Sequence, residues 1–486
     1  PRFHMLETIR AYGQLRLDES GERDDVYAAH TAHFARLAAD ARERLLGADQ
    51  LDWFARLQAD HDNLQSATRH AIAARDAETA TRMVGNLGWY WWIRGHRHEG
   101  VDLAAGSLAL PPAGLGPSEA RASACLIGAL LAVDGTHELD VAMNWFDMAH
   151  HIVVRINRPV DPLLRLVTPL RTLFALFQHP DRVSIDDFRL PVDDDHPWIA
   201  ATALAMRAHT MLNFGRTGPE PIEDFNRAYA MFSTIGERWG MAFSLTALAN
   251  LSAWDGKFSE AIAYLEEALR CVTELSVWEE SINARLQLAR LLWIAGDHER
   301  ARAELARGAV EAARFGAPDQ RAMADATASE IARLEGDLTN ARRLLDQASG
   351  RIAPHTVAPQ LQAVMASAYA FLDMAEGRVD AARTGHRRAL YVAISSVDAP
   401  VIAQCMLGLA EMALIDGDPA RSALVLGASE AVRGAPDRSL PDGTRIAEAI
   451  RTALGDSAFD EHHRRGLQMA VEEIDELIGA RLPRRV

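Results

Sequence analysis

A glycine turn returns through the second half of this 486-residue chain at an almost constant interval. It reads Asp255-Gly256, Ala295-Gly296, Glu335-Gly336, Glu376-Gly377 and Asp416-Gly417, with gaps of 40, 40, 41 and 40 residues. Small residues follow each glycine by five and twelve positions: Ala261 and Ala268, Ala301 and Gly308, Ala341 and Ala348, Ala382 and Ala389, Ser422 and Ser429. Seven residues make two helical turns, so both members of a pair lie on one face, where a neighbouring backbone can come close. The glycine suits a helix end that needs positive φ. Asp297, Asp337 and Asp418 follow three of these glycines directly and are placed to cap the next helix, with Pro419 at a first-turn position. Such a period specifies a helical-hairpin solenoid: an all-α, tetratricopeptide-like superhelix with repeats of about 40 residues.

The period extends upstream. Gly135 follows Gly95 by 40 residues and Gly215 follows Gly135 by 80, so the unit around residues 160–197 has lost its glycine. Its helix is expected from Pro162 to Gln178, ending at His179-Pro180-Asp181, with a degenerate second helix and an acidic loop in the stretch from Arg182 to Pro197. The large–small pairs Leu87-Gly88, Leu248-Ala249, Leu288-Ala289 and Leu409-Ala410 stand eight and seven residues before a turn glycine. Before Ala77 the rule fails. Residues 1–4 read as the stub of a strand, followed by helices from Leu6 to about Leu17, from Asp25 to Leu46 and from Asp49 to Ala74. The organisation expected is an N-terminal junction or cap over 1–76, repeats over 77–440, and a closing helical cap over 441–486. The chain starts at Pro1 without a methionine and reads as a fragment of something longer.

A net charge of −16 argues against a nucleic-acid-binding or anionic-membrane-binding surface. The longest apolar run, Ala124 to Val133, is too short to span a bilayer. Cys125, Cys271 and Cys405 lie far apart, without metal-like or disulfide-like spacing, which suits a reducing, cytoplasmic compartment. A phosphate loop needs a lysine after its glycines, and the one lysine, Lys257, sits in Trp254-Asp255-Gly256-Lys257-Phe258. The 18 histidines show no metal-ligand motif, and no local signature of a catalytic nucleophile appears. No enzymatic activity, metal or other cofactor is expected.

Three stretches carry a family likeness. Phe3-His4-Met5-Leu6-Glu7-Thr8-Ile9-Arg10-Ala11-Tyr12 and Asp60-His61-Asp62-Asn63-Leu64-Gln65-Ser66-Ala67 resemble the junction after the winged-helix part of the NTPase module in STAND-type bacterial transcriptional regulators, the SARP-like and LuxR-like large ATPases. Ala453-Leu454-Gly455-Asp456-Ser457-Ala458-Phe459, with Arg465-Gly466-Leu467, is similar to the end of their repeat region. The resemblance implies a signal-sensing arm whose partners are its own upstream NTPase switch and an effector or protein, in a regulator whose DNA-binding domain lies elsewhere. Oligomerisation of the full-length protein stays open. The alternative is a constitutive protein–protein interaction scaffold with no small-molecule effector.

Ten tryptophans offer the clearest site candidates. Trp198, Trp239 and Trp278 recur at 41 and 39 residues near the starts of first helices, where packing between units accounts for them. A second group lies near first-helix ends. First helices usually line the concave surface of this fold, and Trp89, Asn250 and Arg290 share the position six residues before a turn glycine. An effector or partner is therefore expected on the concave face against Trp89, Trp92, Asn250, Trp254, Arg290 and Trp293, with packing of these tryptophans as the competing account.

Overall fold

The computed structural model describes residues 6–112, 114, 116–133, 139–156, 161–178, 188–352 and 358–483. These form 24 α-helices and, among the described residues, no strand. The expected strand stub at 1–4, the turn at Gly135 and the helix stop at 179–181 fall outside the described residues. The chain divides into two compact units, Pro1–Arg171 and Thr172–Val486.

The first unit opens with α1 (Glu7–Ser20), α2 (Arg23–Arg44), α3 (Gln50–Ala59) and α4 (His61–Ala73). The sequence reads as one helix over 49–74, yet it breaks at Asp60, whose backbone ends α3 and opens α4. The break lets both apolar stripes turn inward: Phe54 and Leu57 from α3, then Leu64, Ala67 and Ala71 from α4, are all buried. Next come α5 (Ala77–Ile93) and α6 (Arg97–Leu108), turning at Gly95, then α7 (Glu119–Leu131) and α8 (Leu139–Ile156). A short 3-10 turn over Pro162–Leu166 leads into α9 (Val167–Gln178), within which the two units divide.

The second unit is a run of helical hairpins. They are α10 (Pro197–Asn213) with α11 (Pro219–Ile235), α12 (Arg238–Trp254) with α13 (Phe258–Glu274), α14 (Trp278–Ile294) with α15 (His298–Phe315), α16 (Pro318–Leu334) with α17 (Leu338–Arg351), α18 (Pro359–Ala375) with α19 (Val379–Ser395), and α20 (Ala399–Ile415) with α21 (Pro419–Arg433). Three further helices end the chain: α22 (Pro441–Leu454), α23 (Asp456–Leu467) and α24 (Val471–Ile478).

The glycine rule holds wherever it can be read. Gly95, Gly215, Gly256, Gly296, Gly336, Gly377 and Gly417 all have φ between 65° and 87° at hairpin turns. At Gly336 the next amide completes the turn: Asp337 N–H donates to the Ala332 carbonyl at 2.9 Å. That bond requires the left-handed backbone, in which a side chain is strained. Asp297, Asp337 and Asp418 cap α15, α17 and α21, each accepting from the backbone N–H three residues on. The paired small residues, from Ala261 and Ala268 through Ser422 and Ser429, are all buried. Each second helix thus packs on its first helix through contacts too close for larger side chains.

Candidate functional site

The first helices of the second unit share one register. Counting back from each turn glycine, position 13 holds Asn283, Met323, Val364 and Gln404 on α14, α16, α18 and α20. Position 10 holds Leu286, Ala326, Ser367 and Leu407, and position 6 holds Arg290, Glu330 and Phe371. Steps of three and four residues keep these side chains on one helix face. Together they line a cavity of about 420 Å³, closed on one side by Leu440, Pro441 and Asp442.

Its charged groups are paired with one another, while Gln287 Oε1 and Ser367 Oγ are buried in the wall without a hydrogen-bond partner. The Arg290 guanidinium meets Glu330 at 2.9 Å, joining equivalent positions of successive repeats. Arg333 binds Asp442 with two donors, at 2.6 and 3.2 Å, and lies over the Phe371 ring. Arg445 reaches Glu411 at 2.7 Å and Asp442 at 3.0 Å. Burial pushes the Glu411 carboxyl above the usual range, while Arg445 and Arg333 favour its ionised form. Next to it, His386 is fully buried with no hydrogen-bond partner at either ring nitrogen, and burial holds it down at about 4. Its ring meets Phe371 edge-on.

A strap joins the far end of this unit to its beginning. Residues 434–440 connect α21 to α22. The Thr217 hydroxyl donates to the Gly434 carbonyl at 2.5 Å, and Gly434 approaches the Gly215 carbonyl so closely that a β-carbon would overlap it. Arg438 N–H donates to the Trp254 carbonyl at 3.1 Å, and the Arg433 guanidinium lies over the Trp254 ring. Asp442, at the start of α22, then holds Arg333. Val397, a β-branched residue at φ 54°, packs against Phe214 and Leu176 beside these contacts.

Of the residues singled out from sequence, Arg290 lies in the cavity wall. Asn250 is exposed at the same register position one hairpin earlier. Trp254, half-buried, sits under the strap. Trp293, also half-buried, packs on His298 at 3.9 Å between ring centroids, with Arg302 over its face. Trp89 and Trp92 belong to the first unit, where they stack on each other at 5.1 Å. The group is therefore divided between the two units, Trp89 and Trp92 in the first and the other four in the second. In the other tryptophan series, Trp198 is buried, Trp239 stacks on Phe243 and Trp278 stacks on Phe315. Sequence reading missed the strap and most of the cavity wall. The signal was available: continuing the six-back column from Asn250 and Arg290 reaches Glu330, Phe371 and Glu411.

The first unit has its own cavity of about 670 Å³, lined among others by Arg42, Arg82, Arg121 and Asp161. Arg42 pairs with Asp161 and donates to Asn86 at 3.0 Å. Arg121 donates to the carbonyls of Leu108 and Leu110, the end of α6 and the residue after next, at 2.7 and 3.1 Å. These partners give both arginines a structural use.

Fold and site together define a tetratricopeptide-like helical-repeat protein. The crystal structure of a Rap protein complexed with competence and sporulation factor superposes with a TM-score of 0.50 at 15% identity, covering 74% of this chain and 98% of that one. At such identity the likeness is one of fold alone. Yeast Tom70 aligns over 88% of this chain and 99% of its own with a TM-score of 0.35 at 12% identity, too low to carry an argument. In sequence, a 101-residue stretch is 31% identical to HTH-type transcriptional regulators of Mycobacterium bovis and Mycobacterium tuberculosis. That stretch is 21% of this chain and 11% of each relative, so the chain spans about a tenth of the length of the curated relatives it matches. No family model matches. Among the described residues, no helix is long and apolar enough to cross a membrane.

Proposed function

We propose that this chain is the sensor and interaction arm of a STAND-type transcriptional regulator, and that it takes a short peptide or similarly extended effector on the first-helix face of its second unit. The observation that carries the reading is the cavity wall: one register, repeated over four hairpins, sets apolar Leu286, Met323, Phe371 and Leu407 beside polar Asn283, Gln287 and Gln404. A mostly apolar concavity with a few placed polar groups is the usual form of a ligand site. Regulation is supported by the matched stretch in the mycobacterial regulators. A protein of like fold is complexed with a competence and sporulation factor, the kind of use proposed here. Coupling to an upstream NTPase module fits α1, whose Ile9, Tyr12 and Leu15 stay exposed and would be covered by such a neighbour. The effector biases the switch only by the difference in its binding free energy between the two states.

The test is a displayed library of random nonapeptides panned against the purified chain. Enriched peptides are expected to lose binding in Asn283→Arg and Gln287→Arg, which push bulk and charge into the cavity without altering the melting temperature. Peptides that bind both variants as tightly as the parent would place recognition on another surface and favour the constitutive scaffold.

A further inference from the structure

A side chain from the start of α4 meets two from the start of α6 in the first unit. His61 is the first residue of α4, His96 caps α6 just after the Gly95 turn, and Glu99 lies in the first turn of α6. One donor atom from each lies within 4.8 Å of the other two. His61 Nε2 stands 3.2 Å from Glu99 Oε2, and the two imidazoles stack with centroids 3.9 Å apart.

The hydrogen-bond network around them leaves acceptors facing one another. The Tyr90 hydroxyl on α5 lies 3.5 Å from Gln58 Oε1 and 3.0 Å from His61 Nδ1; with its proton given to Gln58, its oxygen accepts from His61 Nδ1–H. In that tautomer, assigned from the network, His61 Nε2 carries a lone pair aimed at a carboxylate. His96 Nε2 and Glu99 Oε1 are buried nearby with no hydrogen-bond partner at all. A proton on His61 would satisfy one contact with Glu99 and leave His96 Nε2 and Glu99 Oε1 bare. A single cation between them satisfies all three groups. Buried polar atoms without partners are uncommon, and two in one place call for an explanation of this kind.

We propose that His61, His96 and Glu99 form a binding site for a divalent cation of the zinc class, with Tyr90 fixing the orientation of His61. Two imidazoles and one carboxylate are the donor set of zinc, cobalt or nickel; magnesium and calcium take oxygen. A ligating histidine normally donates its other ring N–H to a neighbouring acceptor, and the Tyr90 oxygen fills that part. Arg94 brings a positive charge close to the site, with its guanidinium over the Phe54 ring. Glu99 and Asp62 bring two carboxylates near Tyr90. Three protein donors leave room for water or one further ligand. The ion would tie α4 to the α5–α6 hairpin, which makes the first unit responsive to metal independently of the second-unit cavity.

The purified, chelator-treated chain is titrated with Zn²⁺ by calorimetry and with Co²⁺ by visible absorption. One equivalent is expected to bind, with cobalt d–d bands of a nitrogen–oxygen site, and Zn²⁺ should raise the melting temperature. Glu99→Gln and His96→Gln should each lose this equivalent, while Tyr90→Phe should weaken it by about tenfold to a hundredfold, as loss of an orienting partner does. Absence of saturable binding by the parent chain would overturn the proposal. So would Glu99→Gln retaining the parent's affinity and cobalt spectrum, since ions held by other histidines are insensitive to this change. Glu99→Gln is close to isosteric, and its circular dichroism melt establishes that it folds even where His96→Gln does not.

Discussion

The two units solve the same packing problem with opposite residues. In the second, alanine or serine meets its neighbour at nearly every hairpin, as at Ala261, Ala341 and Ala382, all fully buried. In the first, glycine faces something large. A β-carbon on Gly88 would overlap Ile127, one on Gly100 would lie 2.6 Å from Leu131, and one on Gly128 would lie 2.9 Å from Trp145. A repeated contact writes a period into the sequence, whereas a glycine fitted to one particular large side chain writes nothing periodic. The difference teaches that regular packing frees the first-helix face to form a groove, and that idiosyncratic packing makes fixed clusters such as the one around Tyr90.

The strongest way to break this comparison is Gly88→Val. Overpacking against Ile127 should destabilise by about 1–3 kcal/mol beyond any gain in helix propensity, read from urea unfolding of the whole chain. A neutral result would mean that the first unit repacks freely and is not keyed.

The next test uses a glycine of the second unit, where Gly408 packs directly on His386, and Gly240 on Phe232, as glycines do in the first. Burial holds His386 at about 4 against an ordinary 6.5, so the unfolded chain takes up its proton first. Its stabilising contribution is complete above pH 6.5 and is lost as pH falls toward 4. The loss can reach about 1.4 kcal/mol per pH unit. Unfolding free energies at pH 7 and pH 5 should therefore fall more for the parent than for His386→Gln, a difference that cancels Glu411, whose own shift has the opposite sign. Parallel falls would show that His386 is charged in the folded chain.

The mildest test sharpens the regular half. Gly336→Val places a side chain at φ 84° with open space around it, so the cost is backbone strain alone, roughly 1 kcal/mol or more. No change in the melting temperature would mean the turn relaxes.

What could be read in advance follows from the same contrast. The hairpin turns, the caps at Asp297, Asp337 and Asp418 and the buried small residues were legible because each is local and repeated. The break at Asp60 was not, since both flanking stripes have helical spacing and only their tertiary partners differ. Arg290 was found in the cavity wall because its position recurs. Trp293, chosen for size, packs on its own hairpin through His298 and Arg302. Arg333 with Asp442 is separated by 109 residues, and His61 with Glu99 by 38, distances at which spacing carries no information.

The strap has a consequence for how the second unit is made. An open solenoid can fold behind its own growing end, because each hairpin needs only the one before it. Here Thr217 waits for Gly434, a partner 217 residues further along. The early hairpins can assemble during synthesis but are latched only when the last ones emerge, and a chain released before Gly434 would carry well-formed helices with nothing to hold their first turns.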